Sequence, residues 1–441
     1  MNFKNKKILH FGNIANNAYL NSKFLRKKGY LSDVISINYK HIMGQPEWED
    51  GEVLNYQDDF NPNFIISNKF QKPSWFYDGK IDEILNKFKN KKKILTSFSI
   101  KNFFIDKFFK HYKTFLLFFL IFKTIYFFFT LNCPKTFKNF LNLHKYHFDS
   151  MLLKIVFEYY DNVIFYGGSS LYGYLSNIPY YCYEHGTIRD FPYQNNLFGR
   201  LVYQSYKNCK HLFITNCDAI KDARKIGIEN FSFMPHPINE DIPTQIEKKN
   251  INATLEILKN KSCITIFHPP RQHWSKEKRN PNLDKGNDIF WDALKKLLDE
   301  GVDFYCIAIQ WGDSMVQTNN LINKHGIREK VKFIKPLCHY DFIRVLNCVD
   351  CVADQFFLGA FGSLAPKALM HNKPVLINYN YNFHDWVFDN HPPFINCKNS
   401  FDIYKNILNF DKNAKFNSVD WYQKNHSSDV IINKFKKVLN L

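Results

Sequence analysis

Residues 354–377 read DQFFLGAFGSLAPKALMHNKPVLI, a glycine-bearing turn that opens a small-residue helix, closes on Lys373-Pro374 and runs into an apolar strand. That order describes a phosphate-binding corner. Gly359 and Gly362 let the backbone approach a ligand where a Cβ would intervene. A helix starting near Ser363 and Leu364 would aim unpaired N–H groups and a positive dipole end at an anion. An ordinary loop before a core helix has the same local signature, so the rest of the chain has to decide between them.

Outward from this corner the chain alternates strand, polar turn and helix, the order of a parallel sheet. Ile8 to Phe11 reads as a buried strand, Gly12-Asn13 as a turn, Ala18 to Lys28 as a helix stopped by Gly29, and Asp33 to Ile37 as the next strand. The pattern recurs at Val163–Tyr166 before Gly167-Gly168, at Tyr180–Tyr183 before Glu184-His185-Gly186, and at Leu212–Thr215. A second series runs through Cys263–Phe267, Phe304–Ile309, Val331–Ile334, Cys351–Ala353 and Val375–Ile377. With 441 residues, two cores are expected. The expected organisation is an α/β domain over 1–238, a second over 255–425 and a terminal helix over 426–441 that returns toward the first. The Pro-rich 235–243 stretch is the expected hinge.

The formal charge of +18 invites a phosphate-rich partner, but lysine, asparagine, isoleucine and phenylalanine are abundant together while arginine is scarce. Part of the charge therefore reads as compositional bias, and no aromatic-basic motif of a nucleic-acid reader is present. Ten cysteines lie scattered, mostly in apolar runs, which fits a reducing cytoplasm. Cys348 and Cys351 lack a second pair, Asp58-Asp59 sits in a polar loop, and no metal site is expected. The first residues run through lysines directly into a short apolar strand, without a secretory apolar region.

One insertion breaks the rhythm. Residues 91–148 hold eleven lysines and one acid, Asp106, around TFLLFFLIFKTIYFFFTL at 114–131. Lysines beside dense aromatic runs suggest a membrane surface. A span needs about 20 apolar residues, and Lys123 mid-run costs about 2.5–3.5 kcal/mol. A span would also separate the start and finish of the first domain. The expectation is a helix pair dipping into the inner leaflet, with an internal core hairpin as the alternative.

Two α/β domains, a cleft and a diphosphate corner in the second resemble the GT-B fold of nucleotide-sugar glycosyltransferases, in particular the retaining family 4 (glycosyl transferases group 1). The family's Glu-Gly-Phe-Gly turn aligns with Gly359-Ala360-Phe361-Gly362, and its small-residue helix and Gly-Lys-Pro-Val end align with Lys367-Ala368-Leu369-Met370 and Asn372-Lys373-Pro374-Val375. Both family glutamates are replaced, by Gly359 and Lys367. In the family these glutamates contact the donor sugar and the ribose. A lysine can donate hydrogen bonds but not accept them, which brings Asp354 and Gln355 forward as substitute acceptors. Arg271 and Lys285-Gly286 stand where the family carries an arginine after the first strand of the second domain and a Lys-Gly opening the next helix. Two cations there would offset the charge gathered by a diphosphate leaving group.

The resemblance further implies that His185, in the loop past a first-domain strand, orients the donor sugar. Glu184 would hold its tautomer or bind acceptor, and Gly12 and Asn13 would form the acceptor-side loop. The implied activity is hexosyl transfer with retention, without metal or cofactor, from a nucleotide sugar to a lipid-linked or polysaccharide acceptor in cell-surface glycan synthesis. It implies a cytoplasmic protein held peripherally on the inner face of the membrane through 91–148. A catalytically degenerate GT-B partner subunit and a sugar-nucleotide epimerase remain the alternatives.

Overall fold

The structure is a computed structural model that describes residues 6–37, 41–66, 70–92, 120–241, 252–275 and 282–441. The first domain holds strands β1 (Lys7–Phe11), β2 (Leu31–Ile37), β3 (Val53–Asn55), β4 (Ile65–Ile66), β5 (Phe76–Gly79), β6 (Asn162–Tyr166), β7 (Tyr181–Glu184), β8 (Leu212–Ile214) and β9 (Phe231–Phe233). Its helices are α1 (Asn17–Lys27), α2 (Pro46–Asp50), α3 (Ile81–Lys92), α4 (described residues 120–130), α5 (Phe137–Phe157), α6 (Ser170–Ser176), α7 (Leu197–Lys207) and α8 (Ile220–Ile226). The second domain holds β10 (Ile264–His268), β11 (Phe304–Ile309), β12 (Val331–Ile334), β13 (Cys351–Ala353), β14 (Val375–Ile377) and β15 (Ile395–Asn396). Around them lie α9 (Asn252–Lys259), α10 (Asn287–Asp299), α11 (Met315–Lys324), α12 (His339–Cys348), α13 (Leu364–Met370), α14 (Ser400–Leu408), α15 (Val419–Asn425) and α16 (Ser428–Leu439).

The seven-stranded sheet has the order β5-β2-β1-β6-β7-β8-β9 and the six-stranded sheet the order β12-β11-β10-β13-β14-β15, every pairing in both being parallel. Strands such as NVIFY and ITIFH are buried along their whole length. Helices cover both sheet faces, so a continuous apolar run is what these positions require. In each sheet the chain starts in the middle, works outward, then crosses to the other side. The order therefore reverses between β1 and β6 and again between β10 and β13. Loops leaving the carboxyl ends of such neighbours diverge and open a crevice.

Two crossings link the domains. Residues 234–239 are buried, and Glu240 next to them accepts from Tyr422 Oη at 2.9 Å and from the backbone N–H of Ser428 at 2.7 Å. The outgoing and returning chains are thus tied side by side. After that return, α16 places Ile431, Ile432, Phe435 and Leu439 in one core with Ile8, Leu25 and Phe213.

The insertion is half core and half surface. Residues 93–119, including Asp106 and the start of the aromatic run, lie outside the described residues. Beyond them α4 and α5 form a pair. Phe128, Leu131 and Leu143 face inward and pack with Leu171, Leu175, Leu197 and Leu201 of α6 and α7. The helix begun inside the insertion also continues past 148 to Phe157, where it joins the main core. The inward side of the pair is the core packing that the hairpin alternative expects, and the outward side is exposed. Among the described residues no helix is long and apolar enough to cross a membrane.

Candidate functional site

Each switch point carries residues singled out by the sequence. At the second, β10 leads to Arg271 and the loop before α10, and β13 leads straight into Asp354 and Gln355, which are buried. Lys285 donates to Gln355 Oε1 at 2.7 Å, and the Phe356 N–H bonds the Lys285 carbonyl at 2.7 Å, so the two loops are stitched together. Gly286 is required at this seam. Its φ is +62°, and a Cβ would stand 2.9 Å from the Phe356 carbonyl carbon. The Arg271 guanidinium lies 5.5 Å from the centroid of the Trp311 ring.

Electrostatically the corner is cation-rich and half-buried. Burial pushes the Lys285 amine down, the Arg271 charge adds to that, and Asp354 opposes it. Burial pushes the Asp354 carboxyl up, with Lys285 opposing, and its Oδ2 has no hydrogen-bond partner. A cation held against both burial and a second cation gains most from an arriving anion. The turn at 359–362 completes the corner. Gly359 sits at φ +74° with Asn380 Cβ only 3.0 Å from where its own Cβ would be, whereas nothing lies within 4 Å of the Cβ position of Gly362. Gly359 therefore makes the turn and Gly362 leaves open approach to the backbone of Ser363 and Leu364. Ser363 is exposed and makes no side-chain cap.

Lys367 has a different environment from the donor contact expected of it. Its ammonium sits 5.0 Å over the Phe342 ring, and burial pushes the amine down with the Glu49 charge of the first domain opposing. The amine thus packs over an aromatic ring of α12.

Across the cleft, His185 follows β7 and lies against the loop after β6. A methyl group on Gly167 would stand 3.1 Å from His185 Cε1. His185 Nε2 is inaccessible and without a partner, and burial pushes the imidazole down to about 4, so it is neutral. Glu184 does not pair with it. The strand runs through Glu184, and its Oε1 accepts from the Ile188 N–H at 2.8 Å and from Thr187 Oγ1 at 3.3 Å. Its carboxylate caps the turn that carries His185 instead of fixing the imidazole tautomer. Asn13 is likewise engaged. Its Oδ1 accepts from the Tyr19 N–H at 2.9 Å, and its Nδ2 donates to Asn16 Oδ1 at 2.9 Å and to the Gly44 carbonyl at 2.8 Å. It pins the loop after β1, and Gly12, whose N–H bonds the Ile35 carbonyl at 2.8 Å, is what remains of the expected acceptor-side pair.

Sequence reasoning passed over three residues here. Arg189 forms a buried two-point pair with Asp218, its Nε donating to Oδ2 at 2.7 Å. Both charges reach Lys285 across the domain boundary. His236, on the outgoing crossing, is pushed down to about 3 by burial, with His185 and Arg189 adding to the shift, and its Nε2 has no partner. The scarcity of arginine that drew attention to Arg271 applied equally to Arg189, three residues past Gly186. His236 gave no comparable signal. Among the described residues no group of three or more His, Cys, Asp or Glu could hold a metal ion.

The chain is similar over 99% of its length to Anabaena HepE, solved in complex with UDP and glucose, covering 99% of that chain with a TM-score of 0.60 and 12% identity. It is similar to sucrose-phosphate synthase from Thermosynechococcus elongatus over 99% of this chain and 98% of that one, with a TM-score of 0.52 and 10% identity. The fold is GT-B. A glycosyltransferase from Rickettsia africae covers 99% of both chains with a TM-score of 0.52 and 13% identity. No family model and no curated protein matches the chain in sequence. In this GT-B chain the two switch points face each other, Arg189, Asp218, His185 and His236 on the first-domain side and Arg271, Lys285, Asp354 and Gln355 on the second.

Proposed function

We propose that this GT-B chain is a glycosyltransferase that takes its sugar from a nucleoside diphosphate sugar. The observation that carries the reading is the half-buried Lys285 ammonium at the second switch point, held by Gln355 and opposed by the Arg271 charge, with an open backbone turn at Gly362–Leu364. The diphosphate would lie between these groups, and Lys285 and Arg271 would offset the negative charge gathered by the departing nucleotide. A preorganised cation is worth more to that charge than to the ground state. The sugar would extend toward His185, whose neutral imidazole suits hydrogen bonding to hydroxyl groups. Asp354 and Gln355 would take acceptor roles on the donor, in place of the absent family glutamates. Hexosyl transfer with retention, independence from metal, and an acceptor that is a lipid-linked or polysaccharide glycan of the cell surface complete the proposal.

The test is a thermal-shift panel of UDP, GDP, CMP, dTDP and ADP on the full chain. A ligand at 100 times its Kd stabilises the native state by about 2.7 kcal/mol. One selective shift identifies the donor class, and no shift with any nucleotide in a folded sample refutes the donor site and favours the inactive-partner reading, which Gly359 and Lys367 at the two glutamate positions motivate. Affinity should depend on pH in one direction. The amine must be protonated to meet the diphosphate, and its pKa in the free protein is lowered to about 8. Binding should weaken as pH rises through that value, with proton uptake on binding above it. Calorimetry in buffers of different ionisation enthalpy measures this, and pH-independent binding from 7 to about 9 would count against Lys285 as the diphosphate ligand.

We further propose peripheral attachment to the inner face of the cytoplasmic membrane through the outer face of α4 and α5. Phe122, Tyr126 and Phe129 line one stripe of α4 at 70%, 66% and 71% exposure, and Phe137, Leu141 and Phe148 continue it on α5. Residues 120–148 hold four lysines and no acid. Lys123 turns inward to the Leu175 carbonyl at 2.8 Å, but Lys135, Lys138 and Lys145 are exposed beside these apolar side chains, which suits an anionic bilayer surface. Replacing Phe122, Phe129 and Phe137 with serine should release the protein from phosphatidylserine vesicles in flotation with no loss of fold, since all three side chains already face solvent. Undiminished flotation would refute this surface.

A further inference from the structure

Under the second switch point runs a closed seam of hydrogen bonds. It starts at His268, the last residue of β10, which is fully buried, its ring stacked on Phe290 at 4.2 Å between centroids and edge-on to Trp291 at 5.3 Å. His268 Nδ1 lies 2.9 Å from the Ala353 carbonyl at the end of β13, and Nε2 lies 3.0 Å from Nδ2 of Asn287, the first residue of α10. Asn287 is fully buried as well, and its Oδ1 accepts from the His273 N–H at 3.1 Å. The His273 carbonyl in turn accepts from the Lys285 N–H at 2.8 Å, and the Lys285 carbonyl from the Phe356 N–H at 2.7 Å. The seam thus runs from Ala353 through His268 and Asn287 to Lys285, and closes on Phe356. Asp354 and Gln355 lie inside this ring, and Gln355 Oε1 is the group to which the Lys285 ammonium donates at 2.7 Å.

The chemistry of the seam is forced at both ends. A backbone carbonyl only accepts and a backbone N–H only donates. His268 Nδ1 therefore carries the imidazole proton toward Ala353, and Asn287 turns its Oδ1 to His273 and its N–H to His268 Nε2. Only a neutral imidazole can do both, and burial pushes the ring down to about 3. We propose that His268 is a positioning residue of the donor corner: it holds the backbone of Lys285 and the exit of β13 at the spacing that sets the ammonium against Gln355, a role that rests on the donor reading of this corner. Enclosed by Phe290, Trp291 and Asn287, the ring acts only through Lys285 and the loop at Asp354-Gln355. Misplacing a reacting or charge-stabilising group by about 1 Å is enough to cost a factor of about 100 in rate.

The first readout is the Lys285 amine itself, titrated in the ligand-free full chain by competitive acetylation and peptide mass spectrometry. Burial and the Arg271 and Arg189 charges lower its pKa to about 8, with Asp354 and Asp218 opposing. An amine released from the corner gains water, so its midpoint should rise toward the ordinary lysine value in His268→Phe, which keeps a ring on Phe290 but has neither nitrogen. Asn287→Ser cuts the arm to Lys285 and leaves the bond to Ala353; it should shift the midpoint the same way, and it decides the matter if His268→Phe does not fold. His268→Gln, whose amide oxygen can still accept from Asn287, should stay near the unaltered midpoint. The second readout is steady-state kinetics with whichever nucleotide sugar matches the nucleotide panel. His268→Phe should lower kcat about 100-fold while donor KM rises by less than about tenfold, and His268→Gln should restore most of kcat. A general packing defect would lower thermal midpoints without moving the amine. An unmoved amine midpoint in the folded variants, intact turnover in a folded His268→Phe, or a His268→Gln no better than His268→Phe overturns the proposal. If no nucleotide stabilises the unaltered protein, the donor reading fails by itself, and the amine titration alone then decides the seam: a raised midpoint upholds it, and an unmoved one overturns it.

Discussion

Lys285→Met and Arg271→Ala are each expected to lower kcat by about 10²–10³, the loss typical of removing one preorganised charge-stabilising group. The double variant is expected to leave only background transfer. The argument is one of placement. Lys285 is held by Gln355 on one side and repelled by the Arg271 charge on the other, and an arriving diphosphate would offset that repulsion. The two variants should also differ. Without Lys285, Asp354 loses the charge that opposes its protonation, and a carboxyl already raised by burial becomes neutral. That keeps the fold intact, so circular dichroism and thermal midpoint should change little while turnover collapses. Retained turnover in both single variants would remove these residues from the mechanism.

The second large effect is on stability. Arg189→Met should cost about 3–5 kcal/mol, because it leaves Asp218 as a buried charge without its partner. The pair is nearly closed to water, with side-chain exposures of 9% and 5%, so solvent cannot replace the lost contact. Combining Arg189→Met with Asp218→Asn should cost distinctly less than the single change, since no unpaired charge then remains. Urea unfolding read at the first domain, by hydrogen exchange of β6 to β8, measures the order of the two. A double variant as unstable as the single would show that packing, not charge, dominates there. The same turn carries His185, so the single variant should lose activity along with stability.

The architecture was readable because it depends on local periodicity. Buried parallel strands must be continuous apolar runs, and VIFY, ITIF and FYCIAI state this without help from distant residues. The glycine turn at 359–362 follows from a turn placed between a strand and a helix, whereas the GT-B pairing of two such series and the Arg271 and Lys285 positions came from resemblance to a family pattern. The roles of Glu184, Asn13 and Lys367 were not readable, because a polar side chain near a strand end serves either a ligand or the fold according to what lies beside it. Glu184 found the Ile188 amide, Asn13 the Gly44 carbonyl and Lys367 the Phe342 ring.

The sequence by itself determined two α/β units, the order of their strands along the chain, and the turns where charged groups gather. Short-range patterning is enough for these, since each is set by residues within one strand or helix. Only the tertiary structure decided that Glu240 ties the outgoing crossing to Tyr422 and Ser428, that Arg189 pairs with Asp218, and that the lysine-rich insertion turns one stripe inward and one outward. These contacts join positions separated by tens to hundreds of residues. Their energies come from burial and opposing charge, which exist only once the two sheets have brought those side chains together.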